Sequence, residues 1–398
     1  MKPLKDVWAE LSKPLPAGSG AKHIGPALTP KELYELSYIL HRSEFTHLAE
    51  GRANAVFSIK EPKDPKVPSG FFRGTLLRVP KATPDVTPCD YEALQDFQEK
   101  FVDVHVGRQH IVPQILIQIP QAVADALNFK RDNALRAKGV RGDQSIIQAG
   151  YAMLVEDMGP SPDYITLEFK PKWLAQAPMA PKDASRCRTC AREALRNAKL
   201  RKRGYKISTP VCPLGLLHEN HAVVMSTIDR LAPTWSERDR ARLASALRTS
   251  GVLERLRDLQ EAGDSGDALF TRPSDANFGL SMTLRDCSCF VRMPVVDNDN
   301  DNDNDNDNEN NHDDEDEDED GDEDGKKTPV VIKLADVDKK NWLQKQAYWQ
   351  KRHDDLVAGG WYHGSESPPV ETACVLRLDY CLKRGLEIPP AFRARLKR

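Results

Sequence analysis

Phe45-Thr46-His47-Leu48-Ala49-Glu50-Gly51-Arg52-Ala53-Asn54-Ala55-Val56-Phe57-Ser58-Ile59 reads as a strand, a tight turn on one glycine and a second strand. A glycine turn of this kind lets the backbone approach a phosphate closely, because no Cβ stands in the way. The same pattern also fits an ordinary β-hairpin, and one glycine does not separate the two. Upstream, Pro30 to Leu40 reads as a helix. Thr29 can cap it, Pro30 suits its first turn, Glu32 completes a capping box, and Leu33, Leu36 and Leu40 share one face. Downstream, the Pro/Gly/Lys-rich stretch Glu61 to Gly70 is a second turn, and Phe72 to Val79 is a third strand running to Lys81. Arg78 and Lys81 thus bring cations to the strand beside the glycine turn.

Further along, Leu94, Phe97 and Phe101 mark an amphipathic helix, and Ile111 to Ile119 alternates as a strand. Ala152 to Val155 and Thr166 to Lys170 read as short strands. From Ser185 helices dominate, with Leu243, Leu247, Val252, Leu256 and Leu259 forming one stripe over Asp239 to Ala262. Leu280 to Arg292 alternates like a strand, and Val330 to Leu334 is β-branched and enters Ala335-Asp336-Val337-Asp338. Trp342 onward is helical, with Gly359-Gly360 as its stop.

The 398 residues carry a formal net charge of -3, but the charge is unevenly spread. Asp297 to Gly325 hold 18 acidic residues with no Lys or Arg, leaving 42 acidic against 57 basic residues elsewhere, a net +15. A basic body of this kind expects a polyanionic partner. The Asp-Asn and Asp-Glu repeats cannot bury apolar surface and are expected to form a disordered insertion, an overgrown loop between two strands. No apolar run approaches membrane-spanning length, so no membrane is expected. Met1-Lys2-Pro3-Leu4-Lys5 has no apolar core of a signal peptide, and eight Cys are too few for a disulfide scaffold. The nucleus, the cytoplasm or both are expected, the former because Arg201-Lys202-Arg203 fits an import signal.

Four further strings bear on chemistry. In Glu168-Phe169-Lys170-Pro171-Lys172-Trp173, strand alternation would aim Lys170 and Lys172 at one spot, which suits a substrate with several phosphates; a Lys-decorated sheet edge is the plainer reading. Arg186 to Lys206 carries nine cations against Glu193 alone, and a helix there would align Arg188, Arg192, Arg196 and Lys199. Arg285-Asp286-Cys287-Ser288 and Asp336-Val337-Asp338 offer two carboxylates at strand ends, one to take a hydroxyl proton and one to hold a metal that bridges nucleotide phosphates. Cys187-x-x-Cys190 with Cys212, His218 and His221 has zinc-knuckle character, but its second half lacks a tight ligand pair, and buried free thiols are the preferred reading.

Taken in order, these strings resemble the inositol-pentakisphosphate 2-kinase family. The turn Ala49 to Val56, Leu77-Arg78-Val79-Pro80-Lys81, Glu168 to Lys172, Cys187-Arg188-Thr189-Cys190, Cys212-Pro213-Leu214-Gly215-Leu216, Thr283 to Ser288 and Asp336 to Asn341 each match a family motif. Ala49 stands where the family has a first glycine, Gly215 where it has Asp, and Asn341 where it has Pro. The resemblance implies an α+β fold, distantly protein-kinase-like and two-lobed: a β-rich N-lobe over residues 1–158 and a larger helix-rich C-lobe over 159–398. It implies ATP and Mg2+ as cofactors, and transfer of a phosphoryl group to the 2-hydroxyl of inositol 1,3,4,5,6-pentakisphosphate to give phytate. Gly51, Ala53, Asn54 and Arg78 would contact the nucleotide, as would Glu156 and Asp157 in a hinge over Leu154 to Met158. Lys170, Lys172, Arg196, Lys340 and Tyr348 would bind inositol phosphate, Asp286 would be the catalytic acid/base, and Asp336 a magnesium ligand. Arg131, Arg136 and Arg141 are alternatives for one N-lobe substrate contact. A catalytically weakened inositol-phosphate-binding scaffold is the alternative function. Nucleic acid is not expected, since only Tyr205 accompanies the basic stretch as a stacking residue, and a monomer is expected.

Replacing Asp297 to Gly325 by a short Gly/Ser bridge is expected to leave folding and kcat unchanged. The apparent KM for inositol phosphate should fall at low salt, where the acidic run competes for a basic groove. The gain should fade between ~0.01 M and ~0.1 M salt, as the Debye length drops from ~30 Å to ~10 Å. Steady-state kinetics across that range check it.

Overall fold

A computed structural model describes residues 2–16, 28–51, 53–83, 90–140, 144–207, 210–264, 271–272, 274–295, 329–339, 342–343, 345–366 and 370–396. Strands β1 (Glu44–Glu50), β2 (Asn54–Lys60), β3 (Thr75–Pro80), β4 (Gln114–Ile119) and β5 (Gly150–Glu156) form one antiparallel sheet in the order β1-β2-β3-β5-β4. Alternation does its expected work in β2, where Ala55, Phe57 and Ile59 face inward. They join Leu77, Ile115 and Leu154 from the neighbouring strands. Leu36 and Leu40 of helix Pro30–His41 and Leu127 of helix Gln121–Ala137 close the same core. The capping box at Thr29 and Glu32 is present.

A second, three-stranded sheet follows: β6 (Tyr164–Phe169), β7 (Ser288–Pro294) and β8 (Val331–Ala335), in that order and antiparallel. Helices Glu237–Thr249, Val252–Ala262 and Ala276–Leu284 bury Leu243, Leu247, Leu253, Leu256 and Leu284 against Val291 and Leu334. The molecule is thus mixed α+β, with a sheet-containing N-terminal region and a helical C-terminal part. The acidic run lies outside the described residues; β7 and β8, which flank it, do pair as a hairpin from Ser288↔Ala335 to Arg292↔Val331.

Three expectations need correction. Leu280 to Leu284 is helix rather than strand, because helix Ala276–Leu284 is buried all round from Phe278 to Leu284 and so carries no 3.6-residue period. The stripe over 239–262 spans two helices, broken at Gly251, whose φ of +64° suits glycine. Both helices press on one core, so the stripe runs through the break. The helix containing Leu94 and Phe97 widens to π-helical turns over Gln98–Gly107.

The two sheets are stitched together along one seam. Val112 N donates to Leu334 O at 2.8 Å, and Ile111 bridges Leu334. Lys333 in β8 pairs with Glu156 and donates to Ser12 Oγ at 2.7 Å. Arg292 in β7 donates to Asp157 O. Trp8 of the first helix, Leu4–Leu11, donates to Thr75 Oγ1 at 2.9 Å. A cavity of 1510 Å³ opens beside the seam, lined by Arg73, Glu156, Asp157, Arg242, Arg292 and Lys333 among others. No helix among the described residues is long and apolar enough to cross a membrane.

One group in the π-helical segment couples this packing to pH. Burial pushes the Asp103 carboxyl up to about 7, against the opposing charge of Arg108, and its Oδ1 finds no hydrogen-bond partner. The folded chain therefore holds a proton that the unfolded chain releases near pH 4. Stability from this group falls as pH rises from about 4 to about 7 and then levels off. Asp103→Asn should raise stability at pH 8 by on the order of 1–3 kcal/mol and do little near pH 4, as read by denaturant midpoints at both pH values.

Candidate active site

The register of β7 and β8 sets the site. Ser288 pairs with Ala335, so Asp286, two residues before β7 begins, and Asp336, the residue after β8 ends, flank the same end of the hairpin. Lys170 and Lys172, just beyond β6, reach this end. Lys170 Nζ donates to Asp286 O at 2.7 Å and to Asp336 Oδ2 at 3.2 Å. Lys172 Nζ lies 2.8 Å from Asp286 Oδ1. The two lysines converge as expected but by another route. β6 stops at Phe169, and Lys172 takes a left-handed φ of 54°; Asp336 has φ 55°. These are the two non-glycine residues with positive φ among those described, and each costs roughly 1–3 kcal/mol. An ammonium held between Asp286 and Asp336 shows that both residues turn oxygen toward one cation-sized spot. Such hard oxygen donors suit a divalent ion such as Mg2+.

A second cluster faces the glycine turn. Arg78 in β3 forms a two-pronged pair with Asp338, one prong at 3.1 Å, and stands over the Tyr91 ring at 5.6 Å. Burial opposes the Arg78 charge, but Asp338 outweighs it and the guanidinium is held more firmly protonated than usual. Tyr91 OH lies 2.7 Å from the Asn54 side chain, whose amide sits between Tyr91 and Arg78. In the turn itself Gly51 N donates to Asn54 O at 2.8 Å, and Ala53 O accepts from Lys81 N at 2.8 Å. A Cβ on Gly51 would meet nothing within 4 Å, so space above the turn is open. Lys81 is buried and pairs with Glu50 at 3.2 Å. Thr283 Oγ1 donates to Asp338 O at 3.3 Å, which joins this cluster to the Asp286 loop.

Several supporting residues escaped sequence reasoning. Gln260, fully buried in helix Val252–Ala262, donates to Lys172 O at 2.9 Å and Leu284 O at 3.2 Å and accepts from Leu174 N at 2.9 Å. It clamps the lysine turn to the Asp286 loop, and no spacing in the chain announces it. Trp173 has two guanidiniums over its ring, Arg285 at 3.7 Å and Arg188 at 4.8 Å from the ring centre. Burial pulls Arg285 down to about 10, although Asp264 at 2.7 Å works the other way. Trp173 closed the Glu-x-Lys-Pro-Lys string, which was the one available signal.

The remaining expected residues fall as follows. Glu156 and Asp157 belong to the seam: Glu156 pairs with Lys333, and Asp157 Oδ1 accepts from Gly159 N at 2.8 Å. Arg196, on helix Arg188–Lys202, is exposed and pairs with Glu193 at 3.2 Å. Arg188, expected on the same phosphate-facing stripe, is instead buried against Trp173. Tyr348 is on helix Gln346–Ala358, with Arg352 5.0 Å over its ring. Lys340, Asn341 and Arg141 lie outside the described residues. Arg131 is buried and donates to Ser145 O at 2.7 Å, whereas Arg136 stays on the surface with Asn133. Gly215 has a packing reason, since a Cβ there would stand 2.2 Å from Thr227 Oγ1.

The chain is also similar to known proteins along most of its length. The family model described as inositol-pentakisphosphate 2-kinase matches residues 47–355, a span that holds the glycine turn, both lysines and all three site carboxylates. A curated relative from Yarrowia lipolytica (strain CLIB 122 / E 150), named inositol-pentakisphosphate 2-kinase, is 29% identical over 247 residues, covering 56% of this chain and 68% of the relative. With more than half of its length matched in that way, the chain belongs to the inositol-pentakisphosphate 2-kinase family and is a kinase.

Proposed function

We propose that this kinase transfers the γ-phosphoryl group of ATP to the 2-hydroxyl of inositol 1,3,4,5,6-pentakisphosphate, giving inositol hexakisphosphate and ADP. The observation that carries the reading is the meeting of Lys170 and Lys172 with Asp286 and Asp336. In this reading the five-stranded sheet belongs to an N-lobe over 1–158, the rest to a C-lobe over 159–398, and the nucleotide lies between them in a kinase-like manner. Adenine is read through Leu154 to Met158, and the phosphates lie under the turn at Gly51, Ala53 and Asn54, near Arg78.

Energetics favour phosphate over the pairs now present. The Lys170 and Lys172 pairs are partly open to water, with Asp286 51% exposed, and pairs of this kind are worth about 0–1 kcal/mol. A charge-assisted contact to a phosphate oxygen is worth roughly 1.5–3 kcal/mol. A polyphosphorylated ring therefore draws both ammoniums toward itself and leaves Asp286 Oδ1 open to a hydroxyl. Asp286 accepts the 2-hydroxyl proton as that oxygen bonds to the γ-phosphorus, and the bond from phosphorus to the ADP oxygen breaks. Asp336 would hold Mg2+, which supplies charge neutralisation between the phosphates. Arg78 can leave Asp338 for a nucleotide phosphate, and Tyr91 and Asn54 keep its guanidinium aimed.

Asp286→Asn should retain binding of both substrates and lose ~10²–10⁴ in kcat. A variant keeping more than about a tenth of wild-type turnover would remove the acid/base role. Lys170→Ala and Lys172→Ala should each weaken inositol pentakisphosphate binding by about tenfold or more while barely changing ATP binding. Titration calorimetry with each ligand alone decides this, and equal losses for both would move the lysines to the nucleotide site.

A further inference from the structure

Lys172 and Asp286 sit on separate loops, and a side chain that belongs to neither loop meets both. Gln260 stands near the end of helix Val252–Ala262 and is 1% exposed. Its Oε1 accepts from Leu174 N at 2.9 Å, and its Nε2 donates to Lys172 O at 2.9 Å and to Leu284 O at 3.2 Å. Its own backbone carbonyl accepts from Ser281 Oγ at 2.8 Å and from Arg285 Nη2 at 3.0 Å. One residue thus holds the Lys172 turn on both sides of Trp173 and also holds the segment that leads into Asp286.

These contacts ask for a primary amide. The amide oxygen offers an acceptor and the nitrogen two donors, and all are used here. Leucine at this position would leave a backbone N–H and two carbonyls in the interior without these partners. Lys172 needs such a hold, because its φ of 54° is strained for a residue with a Cβ. Asp286 stands two residues past Leu284, with its own N donating to Thr283 O at 3.0 Å. The 2.8 Å contact from Lys172 Nζ to Asp286 Oδ1 therefore spans two loops that the same amide fixes.

We propose that Gln260 is a positioning residue for phosphoryl transfer: its amide sets the spacing of the Lys172 ammonium and the Asp286 carboxylate, so that a phosphate held by the lysine presents the acceptor hydroxyl to the acid/base. Gln260 acts through these two groups and touches neither ligand. The inference rests on the roles proposed for Lys172 and Asp286. Those roles stand or fall on Lys172→Ala and Asp286→Asn with Gln260 intact, so their failure is distinguishable from failure of this one.

Steady-state kinetics of folded variants test it. Gln260→Leu should lower kcat by about tenfold to a hundredfold, the cost of misplacing reacting groups by about 1 Å. It should raise KM for inositol pentakisphosphate, by no more than Lys172→Ala does, and leave KM for ATP within about twofold of wild type. Combined with Lys172→Ala, the two KM losses should not add. Gln260→Glu gives a signature in pH. Its protonated form keeps the acceptor for Leu174 N and one donor, whereas its ionised form turns negative oxygen toward two buried carbonyls. Burial and those carbonyls raise the pKa of the new carboxyl, and the form that holds the loops is lost as pH rises through it. The ratio of variant to wild-type kcat should therefore be highest near about pH 6 and fall toward about pH 9, read below the melting transition at each pH. A flat ratio, a Gln260→Leu enzyme within about twofold of wild type in both kcat and KM, or equal rises in the two KM values would overturn the proposal. Failure of both variants to fold would overturn it as well, since the residue would then serve the fold alone.

Discussion

The β7–β8 register is the constraint on which the site depends. Pairing Ser288 with Ala335 brings residues about fifty apart in sequence to one hairpin end, and a slip by one residue would turn every side chain of a strand to its opposite face. The buried stripe of Val291, Met293, Ile332 and Leu334 prevents such a slip, because it must stay against the helical core. Packing energy in the interior of this hairpin thus sets the separation of two carboxylates at its rim. The same strands carry Arg292 and Lys333 to the seam with β5, so one element positions the acids and anchors the neighbouring sheet.

Three carboxylates near one another would repel unless cations offset them, and the cations come from separate elements. Lys170 and Lys172 leave β6, and Arg78 comes from β3. These interactions differ in depth. Arg78 and Asp338 are mostly shielded, whereas Asp286 and Asp336 are partly open to water. The shielded pair ties β3 to the chain just after β8, and in the proposed mechanism the shielded and the open cations alike turn to phosphorylated ligands. Positive φ at Lys172 and Asp336 marks where the chain accepts strain to aim these groups, with Gln260 and Trp173 holding the turn from behind.

Legibility followed the physics of each signal. Four strands of the first sheet were readable because alternation leaves each with one buried face, as in β2 after the turn at Gly51, and β5 because Ala152 to Leu154 form a continuous buried apolar run. Helix Ala276–Leu284 was misread because burial on every side erases periodicity. Lys170, Lys172, Asp286 and Asp336 could be named as candidates from local strings, since each sits in a compact motif beside a strand end. Gln260 could not, because its role comes from two backbone carbonyls that the fold brings within its reach. Cys374 escaped for a similar reason: its buried sulfur lies within 4.8 Å of those of Cys187, Cys190 and Cys212. Cys187 and Cys190 announce themselves by spacing, while their partner lies over 180 residues away and has no motif of its own. Arg188 was read as a surface cation because helical spacing alone does not reveal that Trp173 covers it.

The hairpin also keeps its two ends mechanically apart. Its acidic end is pinned by contacts from three directions, so residues there have little freedom to move. At its other end the chain leaves β7 near Pro294 and returns before Val331. Five paired residues stand between the two ends, roughly 16 Å of strand at about 3.3 Å per residue. Length gained at the far end is therefore insulated from the carboxylates by a rigid, hydrogen-bonded spacer. A hairpin built this way tolerates change at its far connection: that connection can lengthen or change charge while the geometry at the acidic end stays as the paired strands set it.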